Sequence, residues 1–76
     1  MYWFEMTHGT IADKLILISR IMNRALLCRH MQIICPPIGY GDSILVVTDN
    51  HDFICQLEAE YLKAFPQLVT YRGDLP

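Results

Sequence analysis

Seventy-six residues make one small domain, and a chain this short buries only about 60% of the surface that its unfolded form exposes. Hydrophobic residues make up 53% of it, more than so small a core hides, so part of the apolar surface is expected to pair with another copy or another protein. The net charge of −2 and the scattered Lys and Arg exclude the basic footprint of a nucleic-acid binder, and the longest apolar run, Leu15 to Ile18, is far short of the roughly 20 residues that cross a bilayer.

Tyr2 to Met6 is aromatic-rich and alternates in part, with Tyr2, Phe4 and Met6 on one face and Trp3 and Glu5 on the other, which predicts a first strand. Thr7-His8-Gly9-Thr10 breaks it, because Gly permits a positive φ and Thr caps a helix, with Asp13 in the place of a capping-box acid. A helix is expected to begin between Ile11 and Asp13. Ile11, Leu15, Ile18, Met22 and Ala25 recur at spacings of three and four, predicting a stripe that faces a sheet, while Lys14, Arg20, Asn23 and Arg24 supply a polar side. Ile16, Leu17, Ile21 and Leu27 widen the apolar arc beyond what one sheet face needs.

Met31 to Cys35 is β-rich and stops at Pro36-Pro37, which marks a second strand at a sheet edge. Gly39 to Asp42 makes a hairpin connection to Ser43–Thr48, a nearly continuous β-branched run suited to a central strand buried on both faces. Asp49-Asn50 caps a second helix, whose inward stripe is Ile54, Leu57, Tyr61 and Phe65 and whose outer face carries Gln56, Glu58, Glu60 and Lys63, and Pro66 stops it. Gln67 to Arg72 reads as the last strand, and residues 73–76 as a tail. No linker, internal repeat or low-complexity tract divides residues 1–76.

This β-α-β-β-α-β order is the split βαβ, ferredoxin-like arrangement. Right-handed crossovers give a four-stranded antiparallel sheet in spatial order 4-1-3-2 with both helices on one face. The opposite face then has no cover within the chain, and Trp3 and members of the Ile44 to Val47 run are the apolar residues expected to line it.

Three cysteines, Cys28, Cys35 and Cys55, form no C-x-x-C pair, which argues against a disulfide framework and a zinc knuckle alike, so each reads as a small buried hydrophobe. Cys28, His30 and Cys35 fall on different elements, so no metal site is expected. No residue pattern fixes a base and an orienting group around one thiol, and no two carboxylates pair for acid-base work, so no catalytic residues are assigned. The amino terminus lacks a basic region followed by an apolar stretch and a cleavage site, so no secretory signal is expected and the cytoplasm is the expected compartment. Thr7 to Thr10 is the best candidate for ligand contact, since a Gly-containing loop feeding a helix start presents unpaired N–H groups to an anion. Gly and Thr are equally what any strand-to-helix turn would choose.

The run ADKLILISRIMNRALLCRHMQI from Ala12 to Ile33, followed by GDSILVVTDN, the helix HDFICQLEAEYLKAF and the strand QLVTYR, resembles an ACT domain. Within that family it is most similar to the short regulatory subunits of acetohydroxyacid synthase (acetolactate synthase). Leu15, Ile18 and Met22 along the first helix, Arg24-Ala25-Leu26 and Met31-Gln32-Ile33 carry the likeness. The resemblance implies a noncatalytic protein without a cofactor of its own that forms a homodimer with a continuous sheet, implicating Leu17, Met31, Ile33 and Cys35 at the interface. It further implies association with a thiamine-diphosphate-dependent catalytic subunit and feedback inhibition by a branched-chain amino acid. Carried over by position, the effector would meet Thr7, His8, Gly9, Thr10, Ile11 and Asp13 on one side and Gln32 and Ile33 on the other. The family's Pro-Gly pair before the helix is replaced here by Ala12-Asp13, and a carboxylate at Asp13 would meet an ammonium group rather than a carboxylate.

Two readings from other classes stand beside this one. A stand-alone amino-acid sensor would use the same loop without a catalytic partner. An acylphosphatase-like hydrolase needs an Arg in the first loop to hold phosphate, and Thr7 to Asp13 contains none.

Overall fold

The computed structural model describes residues 1–24 and 28–76. Its elements run β1 (Tyr2–Met6), α1 (Ile11–Met22), β2 (Met31–Ile34), β3 (Ile44–Thr48), α2 (His51–Ala64) and β4 (Tyr71–Asp74). All four strands form one antiparallel sheet in the order β2-β3-β1-β4, the expected 4-1-3-2 arrangement read from the other edge.

Strand pairing divides the sheet into two faces. Tyr2, Phe4 and Met6 stand opposite Thr48, Val46 and Ile44, and these side chains turn toward the helices. There Phe4, Met6, Ile44 and Val46 join Ile18 and Ile21 of α1 and Phe53, Ile54, Leu57 and Tyr61 of α2 in one buried cluster. Fully burying a side chain of this size contributes about 1.5–3 kcal/mol, which makes this layer the source of the fold's stability. The other face carries Trp3, Glu5, Leu45, Val47, Gln32, Ile34, Tyr71 and Gly73, with no helix over it among the described residues. Only Leu45 and Val47 of the apolar β3 run point there, whereas Ile44 and Val46 belong to the helix side.

Helix α1 starts at Ile11 because Thr10 caps it, its side chain accepting from Asp13 N. The buried arc keeps Ile11 and Ile18 of the expected stripe and departs from the rest. Leu15 and Met22 are exposed, while Lys14, Ile18 and Ile21 are buried. At 100° per residue this turns the helix toward Lys14, Leu17 and Ile21. The cause is α2, which packs against α1 on that side as well as on β1, so the inward arc faces a helix and a sheet at once. Lys14, expected on the polar side, is only 2% exposed and its ammonium donates to the carbonyl of Asp42 in the hairpin. Ala25 and Leu27 of the expected apolar arc, and Ala25-Leu26 of the resemblance, lie outside the described residues.

Asn50 caps α2, accepting from Phe53 N at 3.1 Å. Ile54, Leu57 and Tyr61 are buried as expected, Phe53 joins them, and Phe65 becomes the half-buried C-cap. Glu58 does not simply face water: it accepts from Thr70 Oγ1 at 2.5 Å and lies 3.5 Å from Arg72 Nε, tying α2 to the last strand. That strand differs from the expected Gln67–Arg72. It comprises Tyr71–Asp74, so Gly73 and Asp74 are strand rather than tail, and Leu75 N still donates to Met1 O at 2.7 Å. Gly73 stands opposite Trp3, and a Cβ there would lie 2.9 Å from Trp3 Nε1, so the glycine lets the indole lie across the edge strand.

Candidate functional site

The loop between β1 and α1 is fixed by one side chain from the far end of α2. Tyr61 Oη accepts from His8 N at 2.6 Å and donates to His8 O at 2.7 Å, pinning both polar groups of that peptide position. Burial pushes the Tyr61 hydroxyl up from its ordinary range, and hydrogen bonding with His8 and Thr7 opposes the rise only in part. Gly9 follows at φ +89°, and a Cβ on it would approach Phe65 Cζ to 3.1 Å, so the turn demands glycine both for its conformation and for space. Thr7 Oγ1 lies 3.0 Å from His8 Nδ1. The loop and the β2–β3 hairpin sit at the same end of the sheet, joined by the Lys14 to Asp42 contact. Burial draws the Lys14 ammonium below its ordinary range, while Asp42 acts in the opposite direction.

Beside this loop an open groove of about 450 Å³ runs between α1 and α2, floored by Leu17, Tyr61 and Phe65. Its rim carries both signs: Asp13 and Glu60 against Arg20 and Lys63. Glu60 is held by Lys63 at 3.2 Å and Arg24 at 3.4 Å. The hydrogen bond from Lys63 keeps its carboxyl below the usual range, burial opposing. An apolar floor with a rim of mixed charge suits a small zwitterion or a peptide end better than a strongly anionic ligand.

Of the residues singled out in the sequence, His8, Gly9 and Asp13 line this groove, Thr7 and Thr10 belong to the same loop, and Ile11 opens α1. Gln32 and Ile33 do not join them within one chain. Strand β3 lies between β1 and β2, Gln32 points to the open face beside Val47, and Ile33 points to the helix side beside Val46, 37% exposed. Among the expected interface residues, Leu17 turns into the α2 groove and, like Met31, packs against the core. Ile33 and Cys35 remain exposed along the β2 edge. The apolar arc of α1 turned away from α2 is therefore Leu15 and Met22, not Leu17.

Cysteine burial also differs from expectation. Cys35 is exposed, and Cys28 and Cys55 are half-buried. Among the described residues no three His, Cys, Asp or Glu side chains converge as metal ligands, and no helix is long and apolar enough to cross a membrane.

Sequence reasoning missed one anchor, Asp49. Its carboxylate accepts from Arg29 N at 3.0 Å and His30 N at 3.3 Å, and its own N–H donates to His30 O, so it fastens the start of β2 to the end of β3. Burial alone would raise this carboxyl, but the hydrogen bonds from His30, Asp49 and Arg29 outweigh it and hold it below the ordinary 3.8. Its place just before an Asn cap concealed it, because either residue satisfies the capping rule.

Exposed apolar side chains lie on two faces and also in loops, where Ile38, Tyr40 and Val69 are the most exposed. On the uncovered side of the sheet Ile34, Leu45, Glu5 and Tyr71 form one row across the strands, and Gln32, Val47, Trp3 and Gly73 the next, so the apolar residues there are interrupted by Glu5 and Gln32. Ile33 on the β2 edge and Leu15 and Met22 on α1 form the second exposed set. A comparison with protein-family models, with curated proteins and with solved structures finds no match to this chain.

Proposed function

We propose that this chain is a noncatalytic regulatory subunit that binds and activates the catalytic subunit of acetohydroxyacid synthase in branched-chain amino-acid biosynthesis. The observation that carries the reading is the sheet face with Trp3, Leu45, Ile34 and Tyr71, over which no helix lies among the described residues. A free β2 edge flanked by apolar side chains fits pairing with a second copy, which leaves the sheet face for the catalytic partner. Regulation then follows from differential affinity: binding the active arrangement of the partner better than the inactive one shifts the population by that difference and no more. Thiamine diphosphate belongs to the catalytic subunit in this reading. Titrating the purified chain into its cognate catalytic subunit is expected to raise activity and tighten the apparent affinity for thiamine diphosphate. Unchanged activity and cofactor affinity at excess chain would contradict the proposal.

The mixed-charge groove beside Gly9 favours a second reading, a stand-alone amino-acid sensor, in which Asp13 meets the ammonium group and Arg20 the carboxylate of the ligand. Calorimetric titration of the chain alone with a panel of amino acids separates the two. Saturable heat without a catalytic partner favours the sensor.

A further inference from the structure

Away from the groove, at the opposite end of the sheet, three side chains with complementary chemistry meet. Cys55 lies one turn after His51 on α2, its Sγ 3.6 Å from the imidazole Nδ1 and 3.8 Å from Nε2. From β4, Arg72 Nη1 donates to the same sulfur at 3.5 Å, while Arg72 Nε lies 3.5 Å from Glu58. The ring of Tyr2 meets that of His51 edge-on with centroids 4.9 Å apart, which restrains the imidazole. Beside His51 and Arg72, though not lined by Cys55, opens a cleft of about 160 Å³ between Tyr2, Ile54, Gly73 and Asp74. At about 30 Å³ per water molecule, this space admits a molecule of a few heavy atoms. A guanidinium directed at the sulfur argues against a metal cation there. It suits a sulfur that carries negative charge during reaction. Among the described residues, no such imidazole and guanidinium pair approaches Cys28 or Cys35.

We propose that Cys55 is the reactive thiol of this chain toward a small hydroperoxide, with His51 taking the thiol proton and Arg72 holding the thiolate. With hydrogen peroxide, the sulfur attacks one oxygen, an S–O bond forms as the O–O bond breaks, and the departing hydroxide takes the proton from His51 to leave as water. Sulfur loses two electrons to become a sulfenic acid, and the peroxide is reduced. This assignment does not depend on a synthase partner or on the groove beside Gly9.

The test follows the three thiols separately by mass spectrometry, with iodoacetamide and with hydrogen peroxide as probes, on the full chain. Cys55 is expected to react at least about tenfold faster than Cys28 and than the more exposed Cys35, and to lose that lead when the chain is unfolded in urea. His51→Gln and Arg72→Gln are each expected to slow Cys55 by about tenfold or more without changing the rates at Cys28 and Cys35. Rates ordered by exposure, with Cys35 fastest in the folded chain, would overturn the proposal. So would a Cys55 lead that persists in urea, or one that both folded variants retain.

Discussion

The hydroxyl of Tyr61 has two partners on one backbone position, and both lie in a loop 53 residues earlier in the chain. Removing it gives the N–H and C=O of His8, an exposed loop residue, to water, so the loss is that of a typical net hydrogen bond, about 0.5–1.5 kcal/mol. Tyr61→Phe is therefore expected to lower stability by that amount in urea denaturation, with a fall in Tm of roughly 4–8 °C per kcal/mol for a domain of this size. The ring stays packed against Phe4, so the loss reports the hydroxyl alone. That Tyr61 points inward was legible from helical spacing, and a buried phenol calls for a partner, yet no sequence pattern names His8 as that partner. Lys14 was misread for a related reason. Residue type places a lysine on a polar face, whereas its aliphatic stem lines the space between the helices while the ammonium reaches the Asp42 carbonyl.

Strands and helices were legible wherever local chemistry punctuates the chain. Thr10, Asn50 and the Pro36-Pro37 pair set boundaries through capping and missing N–H groups, and those boundaries stand within a residue or two. Strand β4 was not legible to the same degree, because Val69 and Thr70 have high strand propensity but Gly73 is the residue that accommodates the Trp3 indole. Tertiary contact overrides propensity there. The same holds for the rotation of α1, which depends on where α2 lies. Asp49 belongs to this scale too, since it joins β2 to β3. Its carboxyl is depressed in the folded chain, so its stabilising effect is fully present above the unfolded value of 3.8 and is lost as pH falls through the lower folded value. Urea midpoints measured from pH 7 to pH 2 are expected to drop on the acid limb in the parent chain. Asp49→Asn should be less stable at pH 7 and show a shallower acid limb, with the remaining slope including the contribution of Glu60, whose carboxyl is also depressed. An unchanged acid limb would remove Asp49 from its role as the clamp of β2.

For the whole molecule, the decisive feature is apolar surface left over after the core is complete. Ten residues form the buried cluster, yet Leu15, Met22, Ile33, Ile34 and Tyr71 are each 37% or more exposed. Scattered exposed apolar residues are ordinary, and Ile38, Tyr40 and Val69 in the loops are of that kind, but these five lie on an unpaired strand edge, one helix arc and a sheet face that no described helix covers. Composition already announced the surplus. Its placement required the sheet register, because a shift of one residue would exchange Ile33 with Ile34 and Val46 with Val47 between faces. Placing a charge on the edge, as in Ile33→Lys, is expected to abolish self-association while leaving the monomer folded, since that side chain lies outside the buried cluster. The parent chain studied by light scattering at micromolar concentration tests the surplus most directly. The account predicts a mass twice the 8.8 kDa of one chain, falling to a single chain in Ile33→Lys. A folded parent chain that stays at 8.8 kDa across that range would contradict it.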